Sequence, residues 1–143
     1  MRAADISLRI VAWPEARELV MPLRSAVFVL EQGVPPELEL DEYDPVSMHA
    51  IAADETNTVV ATGRLLPDGH IGRMAVARVE RGRGTGALVR RAQMEEARRR
   101  GFARVMLNAQ VTAMSFYARH GFSACGPLFM DAGIEHQAME KTF

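Results

Sequence analysis

Cysteine is nearly absent: Cys125 is the only one in 143 residues. A lone thiol excludes an internal disulfide and any metal site built from several cysteines, and it fits a reducing compartment. Charge imbalance is missing too. Lys and Arg number 17 against 18 Asp and Glu, for a formal net charge of −1, so no global field points to nucleic acid or an anionic membrane. No uninterrupted apolar run is long enough to cross a bilayer, and the first residues lack the apolar core of a secretory signal. Internal repeats, low-complexity tracts and linkers are also lacking. What remains is an ordinary globular composition, 48% hydrophobic and 24% charged, in a chain long enough to bury a core. One domain over residues 1–143 is expected, cytoplasmic, with no membrane and no nucleic acid as partner.

Periodicity places the elements. Ile6 to Ala12 alternates as a half-buried strand. Pro14 and Glu15 open an amphipathic helix through Leu30, and Pro22 predicts a kink or two short helices in succession. Residues 31–45 are punctuated by Gly33, Pro35, Pro36 and Pro45 and crowded with Glu37, Glu39, Asp41, Glu42 and Asp44. That stretch reads as an irregular loop with one short helical turn, serving either as a solvated acidic surface or as a wall that attracts a cationic amine. Three antiparallel strands follow: His49–Ala53, Val59–Leu66 and Ile71–Val76. A helix from Thr85 to about Arg100, a strand at Arg104–Asn108, a helix at Thr112–His120, a strand at Phe122–Cys125 and a strand-like tail at Glu135–Lys141 complete the chain.

Arg81-Gly82-Arg83-Gly84-Thr85-Gly86 joins the third meander strand to the long helix. Glycines here serve conformation and close approach rather than packing. Unpaired amides and the positive dipole end of a helix make a seat for phosphate oxygens. A Walker loop is excluded because Gly86 is followed by Ala87-Leu88, not Lys-Ser/Thr. A dinucleotide fingerprint is excluded because the third glycine falls at 86 rather than 87, and no acid stands some twenty residues on.

Arg81-x-x-Gly84-x-Gly86 between an antiparallel strand and a helix resembles the coenzyme A motif of the GNAT family of N-acetyltransferases. Asn108 followed by Ala113-x-x-Phe116-Tyr117-x-x-x-Gly121-Phe122 is similar to that family's second signature. Three further segments resemble the ElaA/YjcF-like subgroup. They are Val27-Phe28-Val29-Leu30-Glu31-Gln32-x-Val34-Pro35, Glu39-x-Asp41-Glu42-x-Asp44 leading to His49, and Asp131-x-Gly133-Ile134-x-His136-x-x-Met139-x-Lys141. The resemblance implies an α/β acyl-CoA N-acyltransferase fold: a mixed central sheet with an antiparallel meander, flanking helices, and a splayed gap between two parallel strands that admits the thioester.

It also implies an acetyl-CoA-dependent acetyltransferase with direct transfer to an amine, a small molecule before a protein, with a homodimer left open. Backbone groups of Met74, Ala75 and Val76 are expected to pair with the pantetheine arm, an N–H of Val76 or Ala75 polarising the thioester. Arg81, Gly82, Arg83, Gly84, Thr85 and Gly86 are expected at the pyrophosphate. Asn108 is expected at the pantetheine or as a helix cap. Tyr117 matches the position that protonates the departing thiolate, since a phenol keeps its proton at neutral pH; packing the helix on the sheet is its other reading. Candidates for the general base are His136, Glu39, His49 and Asp41. Phe28, Glu31, Asp41 and His49 are expected in the substrate pocket. No metal is expected, because Asp41, Asp44 and His49 match no ligand spacing. A non-catalytic acyl-CoA-binding regulatory module and a nucleic-acid binder using the arginine helix are the rivals.

Overall fold

The computed structural model describes residues 6–39 and 41–143, apart from the side chains of Glu37 and Leu38. Glu37 of the acidic stretch therefore has its side chain outside the described residues. Strand β1 (Ser7–Ala12) runs directly into helix α1 (Trp13–Arg24), with Pro14 in the first turn and Glu15 beside the positive dipole end. Pro22 lies inside α1, and the chain continues beyond Arg24 as a π-helical segment, Ser25–Glu31. The interruption expected at Pro22 thus resolves as a change of helical pitch without a break. A short helix α2 (Pro36–Glu39) and a 3-10 turn at Asp44–Val46 follow.

Strands β2 (Met48–Ala53), β3 (Val59–Leu65) and β4 (Ile71–Val76) form an antiparallel meander, and β1 extends it to the order β1-β2-β3-β4. Helices cover both faces, which is why His49-Ala50-Ile51-Ala52-Ala53 reads as a nearly unbroken apolar run. Ile51 packs with Trp13, Ala16 and Val20 on the α1 face. Ala50, Ala52 and Ala61 pack with Val89 of helix α3 (Thr85–Arg99) on the other.

Strand β5 (Arg104–Gln110) leads through a 3-10 turn at Val111–Ala113 into helix α4 (Met114–Arg119). Strands β6 (Ser123–Asp131) and β7 (Ile134–Thr142) then form a hairpin, giving a second antiparallel sheet of order β5-β7-β6. Both hairpin strands are longer than their apolar patterning suggests, because Leu128, Met130 and Ile134 stay exposed. Cys125 is half-buried in β6.

The two sheets touch at a parallel bridge between His70 and Met106, where the Met106 N–H donates to Gly69 O at 3.0 Å. Beyond that contact β4 and β5 share no ladder, so two parallel strands leave a gap between the sheets. The expected mixed sheet is therefore two antiparallel sheets joined by one parallel bridge. A shared core of Leu65, Ile71, Ala97, Val105, Leu107, Phe122 and Met139 fixes their relative position. Each large side chain in it contributes about 1.5–3 kcal/mol by leaving water. No helix among the described residues is long and apolar enough to cross a membrane.

Candidate active site

The gap takes its shape from an irregularity in β4. Thr62 faces Ala75 and Arg64 faces Gly72, so Arg73 and Met74 together stand opposite Gly63. That is a β-bulge, which bends the strand and redirects a side chain. Arg73 has φ +47°, the left-handed region that non-glycine residues seldom enter. Its side chain reaches the acidic stretch, donating from Nη2 to Asp41 at 3.0 Å, while Met74 packs with Val76 in the cluster beneath α3. On the partner strand a Cβ at Gly63 would lie 2.7 Å from the Gln93 amide. The close approach of α3 therefore requires glycine opposite the bulge.

Hydrogen-bond alternation shows which amides of β4 face the gap. The Ala77 N–H donates to Val60 O at 2.8 Å. In an antiparallel ladder Ala75 and Thr62 then form the next bonded pair, and the N–H and C=O of Val76 turn away from β3. Arg81 Nε donates to Val76 O at 3.0 Å, from that outer side. The Val76 N–H thus faces the open side of β4, whereas that of Ala75 belongs to the ladder.

The glycine-rich connection is open where a ligand would approach. Gly82 and Gly84 have φ of +80° and +82°, and a Cβ built at either meets no atom within 4 Å. The Leu88 N–H to Gly84 O bond, 3.2 Å, is the first of the helix. The N–H groups of Thr85, Gly86 and Ala87 precede it and project from the helix end. Thr85 offers its amide only, because its buried hydroxyl donates to Glu80 Oε1 at 3.0 Å. Arg83 lies 3.9 Å from Glu80. Arg81 donates to Glu31 Oε1 at 3.1 Å, and Arg78 stands 3.7 Å from the same carboxylate. Glu31, expected in the substrate pocket, is therefore a partner of the arginines beside the glycine loop.

A groove of 690 Å³ opens at the bulge, lined among others by Phe28, Asp41, Arg64, His70, Met74 and Asn108. The Asp131–Ala132 turn of the β6–β7 hairpin closes one side. Two of the expected substrate residues, Phe28 and Asp41, thus share a groove with two of the expected cofactor residues, Met74 and Asn108. The side chain of Asn108 is exposed in mid-strand, so it caps no helix.

His49 and Glu39 do not belong to it. His49 is 1% exposed, lies against Trp13 with ring centroids 4.8 Å apart, and has Nε2 3.0 Å from Asp44 O. A carbonyl can only accept, so Nε2 carries the proton. Burial lowers the His49 pKa and outweighs the Asp44 carbonyl hydrogen bond and the Asp44 charge, which raise it, and the Arg24 and Arg64 charges lower it further. Glu39, also 1% exposed, receives Arg24 Nε. Neither can serve as a base for an acceptor in the groove. His136 is stacked on Phe129 at 5.8 Å, with Nδ1 2.8 Å from Ile134 O, and does not line the groove. Tyr117 packs edge-on against Phe116 and Phe122, with the Arg90 guanidinium 5.1 Å from its ring centre.

The acidic stretch is not an open negative wall. Asp44 is fully buried and accepts from Arg24 at 2.9 and 3.1 Å, from Arg64 at 3.0 Å and from the Asp41 N–H at 3.2 Å. Asp41 accepts from Arg64 at 2.7 Å, Arg73 at 3.0 Å and the Tyr43 N–H at 2.9 Å. With Glu39 on Arg24, three carboxylates face three guanidiniums. Burial would raise the pKa of Asp41 and Asp44, but the arginine hydrogen bonds and charges outweigh it and hold both below the usual range. The same pairs hold Arg24 above its ordinary value despite burial. Three of the five carboxylates that suggest a cationic acceptor are thus paired with arginines. Among the described residues no group of three or more His, Cys, Asp or Glu is placed to hold a metal ion.

Three groove residues carried no motif. Arg64 and Arg73 sit inside strands whose apolar pattern hides them. His70 lies in the turn before β4, with Nδ1 2.9 Å from Asp68 Oδ2. The available signal was arithmetic: carboxylates packed that densely in a folded loop call for counter-cations.

Known proteins share this fold. Residues 23–143 match the family model of the acetyltransferase (GNAT) domain. YjcF of Bacillus subtilis, described as an uncharacterised N-acetyltransferase, is 36% identical over 122 residues, covering 83% of this chain and 87% of that protein. An acyl-CoA N-acyltransferase from Pseudomonas aeruginosa superposes with TM-score 0.86 at 27% identity, covering 96% of this chain and 99% of the other. ElaA of Escherichia coli superposes with TM-score 0.82 at 25% identity, covering 95% and 99%. By domain match, sequence relatives and fold, the chain belongs to the GNAT acetyltransferase family and is of its ElaA/YjcF-like type.

Proposed function

We propose that this chain, acting in the cytoplasm as one domain over residues 1–143, transfers the acetyl group of acetyl-coenzyme A directly to an amine. The observation that carries this reading is the Val76 N–H, which faces the unpaired side of β4 beside the gap. It is a fixed donor for a thioester oxygen as negative charge develops there, a kind of stabilisation that is large when the donor is preorganised. The glycine loop fits the pyrophosphate: three amides project from the helix end, and two left-handed glycines leave the approach free. Met74 to Val76 fit the pantetheine arm as an added strand. When bound, acetyl-coenzyme A supplies the activated acyl group.

The groove suits a small molecule, since 690 Å³ lies within the usual range of about 300–1,000 Å³ for such sites. Its charges balance, which favours a polar acceptor over a polycation. Of the four histidines, His70 is the one that lines the groove. With Nδ1 held by Asp68, its Nε2 is the groove atom best placed in kind to take the proton of the attacking amine. Cys125 lines neither groove nor loop, which supports direct transfer over an acyl-cysteine route. Tyr117 is proposed to return a proton to the leaving thiolate.

The test is thiol release from acetyl-coenzyme A across a panel of neutral and charged small amines, with the N-acetyl product identified by mass. Turnover with at least one amine, lowered in Tyr117→Phe while coenzyme binding is retained, is the expected result. Binding without turnover on any amine would replace the enzyme by a regulatory acyl-CoA-binding module.

A further inference from the structure

Helix α3 carries two kinds of arginine. Arg99 and Arg100 share Glu96 as ion-pair partner, at 2.5 Å each. Arg90, Arg91 and Arg98 have no ion-pair partner among the described residues. All three line a second cavity of 280 Å³ that runs along α3 from Ala87 and is walled by His120, Phe122 and Lys141. Glu95 is its one acidic residue. The cavity therefore concentrates cations in excess, three arginines and a lysine against one carboxylate, in a protein whose net charge is −1.

Two features make this more than a solvated helix face. Arg90 is half-buried and fixed over two rings, 5.2 Å from the centre of Phe116 and 5.1 Å from that of Tyr117. A guanidinium held in this way loses little freedom on meeting an anion. The cavity also begins at Ala87, whose N–H is one of the three that project from the helix end. Arg90 and Arg91 follow three and four residues later, about 5 Å along the axis, on the same side as Ala87.

We infer that the Arg90–Arg91 end of this cavity binds the ribose 3′-phosphate of coenzyme A and makes the protein select the 3′-phosphorylated cofactor over its dephospho form. The inference rests on the donor reading above, since a pyrophosphate at the glycine loop puts the ribose and its 3′-phosphate one sugar away from Ala87. A phosphate monoester carries close to two negative charges at neutral pH, and two guanidiniums match it by charge and by fork geometry. Arg98, about 16 Å along the axis from Ala87, is too far to share it.

The experiment is calorimetric titration of the full chain with acetyl-coenzyme A and with acetyl-dephospho-coenzyme A, for wild type, Arg91→Gln, Arg90→Gln and Arg98→Gln. Wild type is expected to prefer the 3′-phosphorylated ligand by about tenfold or more, the range of a charge-assisted contact. Arg91→Gln, which breaks no ion pair among the described residues, is expected to lose most of that preference, and Arg90→Gln likewise if circular dichroism shows it folded. Arg98→Gln should keep it. Equal affinity of wild type for the two ligands overturns the inference and leaves the donor reading intact. A preference that survives in Arg91→Gln and in folded Arg90→Gln, or disappears in Arg98→Gln, overturns the assignment to this end of the cavity. If neither ligand binds wild type, the donor reading falls and takes the inference with it.

Discussion

Asp44→Asn is the sharpest test of what orders the acceptor side of the groove. The substitution keeps the shape of the side chain but removes the charge from a fully buried group that receives three guanidinium hydrogen bonds and one amide. Arg24, itself 1% exposed, would keep only Glu39 as a charged partner. Removing one member of such a buried network costs about 3–5 kcal/mol, because the remaining charge is left uncompensated away from water. A domain of this size has roughly 5–15 kcal/mol in total, so the loss should appear as a fall in Tm of about 10 °C or more. Differential scanning calorimetry at neutral pH measures it. Acid titration gives a second readout. The folded-state pKa of Asp44 lies below its ordinary 3.8, so its contribution is complete above that value and is lost as pH falls through the lower, folded one. Wild type should therefore lose stability more steeply than the variant below about pH 4. A Tm change under about 2 °C, or parallel acid limbs, would refute the view that Asp44 pins the stretch to Arg24 and Arg64.

His49→Phe should flatten a different part of the pH profile. Wild-type His49 has its folded pKa lowered from 6.5, so its contribution is present above that value and lost as pH falls below it. Thermal melts from about pH 7.5 to pH 5 should show a decline in wild type that the variant lacks. Gly63→Ala should destabilise by about 1–3 kcal/mol, because its Cβ would lie 2.7 Å from the Gln93 amide. In urea denaturation the additional Gln93→Ala substitution should recover part of that loss.

Much of the fold was legible because several elements obey a single local rule. Ile71–Val76 and Thr85–Arg99 fall within a residue of their periodic patterns. The glycine loop was legible because conformation, not packing, dictates glycine at 82 and 84. The bulge was not legible: Arg73 and Met74 look like any strand pair, and only the register against Gly63 shows the extra residue. Nor was the sign of the acidic stretch. Asp41 and Asp44 read as surface charge or as a wall for a cationic amine, because their partners, Arg24, Arg64 and Arg73, come from sequence positions 20 to 32 residues away. His49 and Glu39 look like reactive groups in the sequence for the same reason: burial and long-range pairing, which remove them from the groove, are tertiary facts. His70 went unread because its turn, Pro67-Asp68-Gly69, reads as connection only. Its place at the bridge to Met106 depends on how the two sheets meet.

The most direct measurement is calorimetric binding of acetyl-coenzyme A to wild type and to Gly84→Val, with each shown folded by circular dichroism. Gly84 has φ +82° and opens helix α3 at the seat assigned to the pyrophosphate, and a β-branched residue is strained there. Saturable binding to wild type, weakened about tenfold or more in the folded variant, is the expected result. Absence of binding to wild type, or equal binding by the two proteins, would contradict the assignment of the Arg81–Gly86 loop as the coenzyme A site.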